Sequence, residues 1–164
     1  MNVEALREQF WCDPQTGAVY LKRGTQRKKA GSRADFVRDS GYAFVAVDRK
    51  FVRAHRVVWA LVNGQAPDCD IDHVNGVRSD NRIVNLRLAS RSENISNARN
   101  AAVGVSGYRG VVWKQKAAKW AAQIKKDGKR FHLGLFEDPR AAHQAYVAAS
   151  IELHGEFSVY ATAA

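Results

Sequence analysis

The sequence predicts an α+β protein built as two modules, residues 1–100 and 107–160, joined by a linker at 101–106. Three observations point there. Short alternating runs of apolar and polar residues, broken by turn signals, occupy residues 1–53 and return after Gly104. Two stretches, one at 53–63 and one starting at Asp138, switch to helical spacing. Between the modules, Ala101-Ala102-Val103-Gly104-Val105-Ser106-Gly107 is a run of small residues with the texture of a linker.

The elements follow in order. Phe10-Trp11-Cys12 leads into the turn sequence Asp13-Pro14-Gln15-Thr16-Gly17 and then Val19-Tyr20-Leu21, two short strands around a turn. Between Lys22 and Arg33 lie six basic residues and no acid, which suits either a solvated loop or one that touches phosphates. Gly41 to Val47 and Lys50 to Val52 flank Asp48-Arg49 as a hairpin, and the helix at 53–63 stops at Asn63-Gly64. Residues 67–100 are polar and rich in Asn and Arg, with two short strands around a polar turn. Ser90 and Glu93 form an S-x-x-E capping box that starts a helix, with Asn94 in its first turn.

Composition bounds the function. The chain has 164 residues, a formal net charge of +10 and a pI near 9.9, so a polyanionic partner is the leading expectation. The longest apolar run, Val57 to Val62, is far short of the roughly 18 to 20 residues that cross a bilayer. Residues 1–8 lack a signal-peptide core, so no membrane role and a cytosolic location are expected. Cys12 and Cys69 stand alone without a Cys/His cluster, so no structural zinc is expected.

The segment from Ile71 to Asn94 carries the chemistry. His73 is the natural general base, because histidine alone titrates near neutral pH unperturbed. Asp72 and Asn94 offer hard oxygen donors for one Mg²⁺ or Mn²⁺. Asn85 can accept a ring N–H of His73 through its amide oxygen and fix the tautomer. Neighbours on a regular strand face opposite ways, so Asp72 and His73 must stand where the strand ends, and Asn75-Gly76 supplies the bend. His55, on a helix rich in apolar residues, reads as structural or as a support for the site.

The run I-D-H-V-N-G-V-R-S-D-N-R-I-V-N-L-R, followed by S-E-N, resembles the HNH endonucleases of phages and mobile introns, in the subgroup whose third motif position is Asn. The likeness spans roughly residues 10–100. It includes Asp13-x-x-Thr16-Gly17, Gly41-Tyr42 and Ala54-His55-Arg56. It implies a ββα-metal core at about 67–100, a metal-dependent cut in DNA, His73 as base, Asn85 as its orienting residue, and Asp72 and Asn94 as metal ligands. The bound metal would stabilise the departing 3′ oxygen. Arg78, Arg82 and Arg87 are candidates to clamp phosphates.

After the linker, Trp120 to Lys125 and Arg130 to Leu135 alternate as strands about a tight Asp127-Gly128 turn. Phe131, Leu133 and Leu135 are expected on one face. A helix from Asp138 covers the sheet with Ala142, Ala145, Tyr146, Ala149 and Leu153. Gly104 to Phe136 carries eight basic residues against one acid, and a basic ribbon is narrow enough for a major groove. Ser106-Gly107-Tyr108-Arg109-Gly110-Val111, Lys119-Trp120-Ala121-Ala122-x-Ile124, His132-Leu133-Gly134-x-Phe136 and Ala142-x-x-Ala145-Tyr146 resemble the DNA-binding domain of the plant APETALA2/ethylene-response-factor family. That resemblance implies a three-stranded sheet packed on one helix, with Arg109, Lys114, Gln123, Lys125, Arg130 and His132 facing double-stranded DNA. Val112 and His132 depart from the plant pattern, so the plant sequence preference is not carried over. Trp113 fits either packing or a groove contact.

The expected function is therefore a DNA endonuclease acting as a monomer, with pairing of two chains on DNA as the alternative. The rival is a catalytically silent DNA-binding regulator. An RNA-binding reading is disfavoured because stacking aromatics on a sheet face look scarce.

Overall fold

The structure, a computed structural model, describes residues 1–98 and 103–161; residues 101 and 102 of the expected linker lie outside them. Helices alternate with four antiparallel sheets, and two compact units form, Met1–Ala89 and Ser90–Ala164. Among the described residues no helix is long and apolar enough to cross a membrane.

In the first unit, α1 (Val3–Gln9) starts at Asn2, whose side chain accepts the Ala5 N–H at 3.2 Å. β1 (Phe10–Cys12) and β2 (Val19–Leu21) pair across the Asp13–Gly17 turn. β3 (Asp35–Val37), β4 (Ala43–Val47) and β5 (Lys50–Arg53) form a sheet in that order. Asp48 (φ 48°) and Arg49 (φ 63°) both adopt left-handed backbone, as a tight two-residue hairpin demands. α2 (Ala54–Asn63) ends at a left-handed Gly64. Its Val57 and Val58 pack with Leu6, Phe10, Val19 and Val45 as the core, each such side chain contributing roughly 1.5–3 kcal/mol. β6 (Asp70–His73) and β7 (Leu86–Ala89) complete the unit as a hairpin.

One face of the β3–β4–β5 sheet supplies Ala43 and Val45 to that core. The other brings together Phe36, directly opposite Phe44, and Phe51, directly opposite Ala46. The Arg38 guanidinium lies 4.0 Å from the Phe51 ring centroid, with Phe44 at 5.0 Å and Phe36 at 5.5 Å. The expectation that stacking aromatics on a sheet face are scarce is thus corrected. The run Ala43-Phe44-Val45-Ala46-Val47 is apolar on both alternations, so period alone does not tell which side is covered.

The second unit opens with α3 (Arg91–Ser96), whose capping box forms as expected: Ser90 Oγ accepts the Glu93 N–H, and Glu93 accepts the Ser90 N–H. The sequence places this helix in the first module; its contacts are with the second unit, where it packs on the long helix and Ser92 Oγ accepts the Asp127 N–H at 3.1 Å. β8 (Val111–Lys114), β9 (Lys119–Lys126) and β10 (Lys129–Phe136) form a sheet with β9 central, and the β9–β10 turn uses left-handed Asp127 and Gly128. α4 (Pro139–His154) is capped by Asp138 and covers one side through Ala142 and Tyr146. The core here is small: Val111, Ala122 and Ala142, flanked by Trp120, Leu133 and Phe136.

β10 does not present Phe131, Leu133 and Leu135 on one face. A bulge between His132 and Gly134 resets the register, so Gly134 pairs with Ala122 and Leu135 with Ala121. Leu133 packs inward while Leu135 stays 45 % exposed.

Candidate functional site

His73 is the last residue of β6, and the chain turns at once: the Gly76 N–H reaches the His73 carbonyl at 2.8 Å, with Gly76 at φ 72°. That strand end lets Asp72 and His73 both be buried, at 4 % and 5 % exposure. Asp72 lies directly across from Arg87 in the hairpin register. Arg87 donates to Asp72 Oδ2 from Nε at 3.0 Å and from Nη2 at 2.8 Å. Arg87, expected to clamp phosphate, is therefore a nearly buried counter-charge for the carboxylate, because desolvated charges require a partner.

The His73 ring is held from several sides. Its Nε2 is 3.1 Å from Asn81 Oδ1, the His55 ring stands T-shaped at 5.0 Å, and Tyr42 lies tilted at 6.2 Å. Arg53 and Arg78 lie over the Tyr42 ring at 4.3 and 5.0 Å. Burial pushes the His73 imidazole below its usual pKa, opposed by its bond to Asn81 and by the Asp72 charge. Burial drives His55 further, down to about 3, helped by His73, Arg53 and Arg56.

Asn85 is buried, but its amide serves the loop. Oδ1 accepts the Asn75 N–H at 2.9 Å, and Nδ2 donates to the Asp80 carbonyl at 2.7 Å. Both amide groups are committed to backbone, so the expected bond from Asn85 to the His73 ring is not the one formed; Asn81 takes that place. Around it, Asn75 Nδ2 donates to Asp80 Oδ2 at 2.7 Å, and Arg82 clasps Asp80 at 2.8 and 2.6 Å. The Arg82 bonds, with a lesser one from Asn75, hold the Asp80 carboxyl down to about 2. Arg82, like Arg87, is thus committed within the loop. Arg78 donates to the Ser40 carbonyl at 3.1 Å. Arg56 ties the approach to β6 onto α2 by donating to the Pro67 and Cys69 carbonyls at 2.8 and 2.9 Å.

Sequence reasoning missed Asn81, and the turn supplied the signal that could have found it. Asp13–Gly17, singled out for its turn chemistry, packs on the Asn81 backbone: a Cβ on Gly17 would stand 2.2 Å from the Asn81 carbonyl carbon. The Arg87–Asp72 pair was readable as well, since antiparallel pairing of the two short strands sets those residues opposite each other.

In the second unit Asn94 sits on α3, its N–H bonded to the Ser90 carbonyl at 3.0 Å. The sheet face away from α4 gathers Lys114, Gln123, Lys125, Arg130 and His132, with Lys125 opposite Arg130 and Gln123 opposite His132. All but the partly covered Gln123 are exposed. Arg109 is spent differently: its guanidinium donates to the Ala98 carbonyl at 2.8 Å and the Ile95 carbonyl at 3.0 Å, strapping the end of α3. Trp113 stacks edge-on with Trp120 at 4.9 Å and leaves about half its surface open. Cys12 and Cys69 are both free thiols, and no group of three His, Cys, Asp or Glu residues gathers among the described residues.

Against known proteins, the family model for HNH endonucleases matches residues 52–95, the stretch that holds His55, Asp72, His73, Asn81, Asn85, Arg87 and Asn94. An HNH endonuclease domain thus underlies this hairpin and the helix after it. Protein 3.8 of Escherichia phage T7 is 31 % identical over 115 residues, covering 66 % of this chain and 90 % of that protein; the chain belongs to the same family. The solved structure described as DNA binding and cleavage by the HNH homing endonuclease I-HmuI aligns with a TM-score of 0.47 at 18 % identity, over 94 % of this chain and 82 % of that one.

Proposed function

We propose that the chain is a metal-dependent DNA endonuclease in which His73 is the general base. The observation that carries this is the hairpin end itself: a buried imidazole with one ring nitrogen held by an amide oxygen, next in sequence to a buried carboxylate. His73 takes a proton from the water that attacks phosphorus, a role general bases fill for a gain of roughly 10²–10⁴-fold. Asp72 and Asn94 are the residues that would hold one Mg²⁺ or Mn²⁺. The donor set fits, since carboxylate and amide oxygens are hard ligands and the Asp72 charge already calls for a cation, here Arg87. Once bound, such an ion neutralises charge building on the phosphate and the leaving oxygen. Asn85 secures the loop that shapes the site.

The second unit adds affinity and site choice. Its open face offers Lys114, Lys125, Arg130, Gln123 and His132 to double-stranded DNA in the manner of the plant-type domain it resembles. The protein works in the cytosol as a monomer. One observation favours the rival reading of a silent DNA-binding regulator: Arg87 occupies an oxygen of Asp72 that a metal would need.

Supercoiled-plasmid cleavage with Mg²⁺, Mn²⁺ or EDTA, comparing wild type with His73→Ala, separates the two. Metal-dependent nicking or linearisation by wild type alone is expected. Undiminished cutting by His73→Ala removes His73 as the base. Tight, metal-independent binding without cutting of plasmids bearing the recognised site favours the regulator.

A further inference from the structure

The proposed chemistry leaves two features unused: the buried amide of Asn81 and the turn that ends at Gly17. Asn81 is 2 % exposed, more buried than Asn85. An amide oxygen can only accept, so a ring nitrogen bonded to Asn81 Oδ1 must be the one that carries hydrogen. In a neutral imidazole the other nitrogen then holds the lone pair. Asn85 cannot share this task, because its oxygen and its NH₂ are both bonded to loop backbone.

The Asn81 backbone is itself gripped. Gly17 has φ +70°, and a Cβ there would come within 2.2 Å of the Asn81 carbonyl carbon and 2.5 Å of the Arg82 nitrogen. The Ile83 N–H donates to the Pro14 carbonyl at 2.9 Å. The turn is braced internally: the Gly17 N–H reaches the Asp13 carbonyl at 2.8 Å, and Asp13 accepts the Gln15 N–H at 2.9 Å and the Thr16 hydroxyl at 2.8 Å.

We propose that Asn81 is the positioning residue of the general base, holding the His73 ring as the Nε2–H tautomer so that Nδ1 is the proton acceptor, and that the Asp13–Gly17 turn holds Asn81 in register. This rests on the reading of His73 as base, but its test does not need cleavage. The whole, metal-free chain is labelled with ¹⁵N-histidine, and long-range ¹H–¹⁵N correlations are recorded at a pH where the rings are neutral; His73→Ala assigns the signals. Wild type is expected to show a protonated Nε2 and an imine-type Nδ1 for His73. Asn81→Asp, which keeps an acceptor, is expected to retain that pattern, and Asn81→Leu to lose it. Gly17→Ala is expected to weaken it by displacing the Asn81 backbone.

An Nδ1–H tautomer in wild type overturns the proposal, and that reading stands whether or not any variant folds. An unchanged tautomer in a folded Asn81→Leu, with only a lower melting temperature, reduces Asn81 to a packing residue and overturns it too. With a cleavable substrate, Asn81→Leu should lower kcat roughly 10- to 100-fold at unchanged KM, with partial recovery in Asn81→Asp. A wild-type protein that shows the Nε2–H tautomer yet never cuts supports the positioning role and counts against the nuclease reading alone.

Discussion

The chain carries two three-stranded antiparallel sheets, each covered on one side by a helix, and they expose opposite chemistries. The β3–β4–β5 sheet, backed by α2, turns outward Phe36, Phe44 and Phe51 with Arg38 laid over them. The β8–β9–β10 sheet, backed by α4, turns outward Lys114, Lys125, Arg130 and His132. The cores behind them differ too. The first sheet stands on a broad core that includes Leu6, Phe10, Val45, Val57 and Val58, whereas the second rests on Val111 and two alanines. Shared topology therefore settles neither stability nor partner; side-chain pattern on the uncovered face settles the second, and bulk behind the sheet the first.

The sharpest way to break the comparison of cores is Gly110→Ala. Gly110 has φ +75°, and an added Cβ would stand 2.0 Å from a Tyr146 ring carbon, so helix α4 must shift or the ring must leave. A loss of roughly 3 kcal/mol or more from the second unit is expected, read by chemical denaturation with Trp113 and Trp120 as local reporters. Val58→Ala, in the broader core, should cost about 1–3 kcal/mol and leave those reporters unmoved. Equal effects of the two substitutions would mean the units do not differ in how tightly they are built.

Each unit also buries a histidine whose Nδ1 has no hydrogen-bond partner, His55 in the first and His154 in the second. Burial lowers both pKa values, His55 to about 3. The unfolded chain binds a proton near pH 6.5 while folded His55 does not, so its contribution is intact above that pH and is lost as pH falls from about 6.5 towards 3. Acid titration of stability should show a decline through this window that His55→Phe reduces. A decline that His55→Phe leaves unchanged would place the acid-sensitive group elsewhere.

Much of this was legible in the residues. The left-handed hairpin at Asp48-Arg49, the stop at Gly64, the Ser90–Glu93 capping box and the Asp127-Gly128 turn are set by local chemistry, and each forms where it was read. What failed depended on closure in space. Two asparagines four apart in one loop, Asn81 and Asn85, are equivalent as residue types, and only the way the loop folds against Gly17 decides which meets the imidazole. The bulge at His132–Gly134 flipped Leu135 without disturbing the pattern around it. Arginines gave the weakest signal: Arg78, Arg82, Arg87 and Arg109 all read as phosphate contacts, yet each is spent on a carbonyl or a carboxylate within the protein.

On DNA, the open faces should separate by their salt dependence. Lys125 and Arg130 are uncompensated by any acid opposite them, and a phosphate contact made by each releases about one counterion. Lys125→Ala with Arg130→Ala is expected to weaken binding by tenfold or more and to reduce the slope of log K against log salt by roughly 2. An unchanged slope would remove the second sheet from the interface.

Phe51→Ser is expected to have the smallest effect, because it removes no charge and the ring is already 55 % exposed. Stability should change by less than about 1 kcal/mol and the salt slope should hold. The ring is nonetheless the support on which the Arg38 guanidinium lies at 4.0 Å, and an unsupported arginine regains its rotamer freedom. A slope reduced by about 1 in Phe51→Ser, matched by Arg38→Ala, would mean that the aromatic face presents Arg38 to a phosphate. The two sheets would then meet the same polyanion, one through cations fixed by strand register and the other through a cation fixed by stacking.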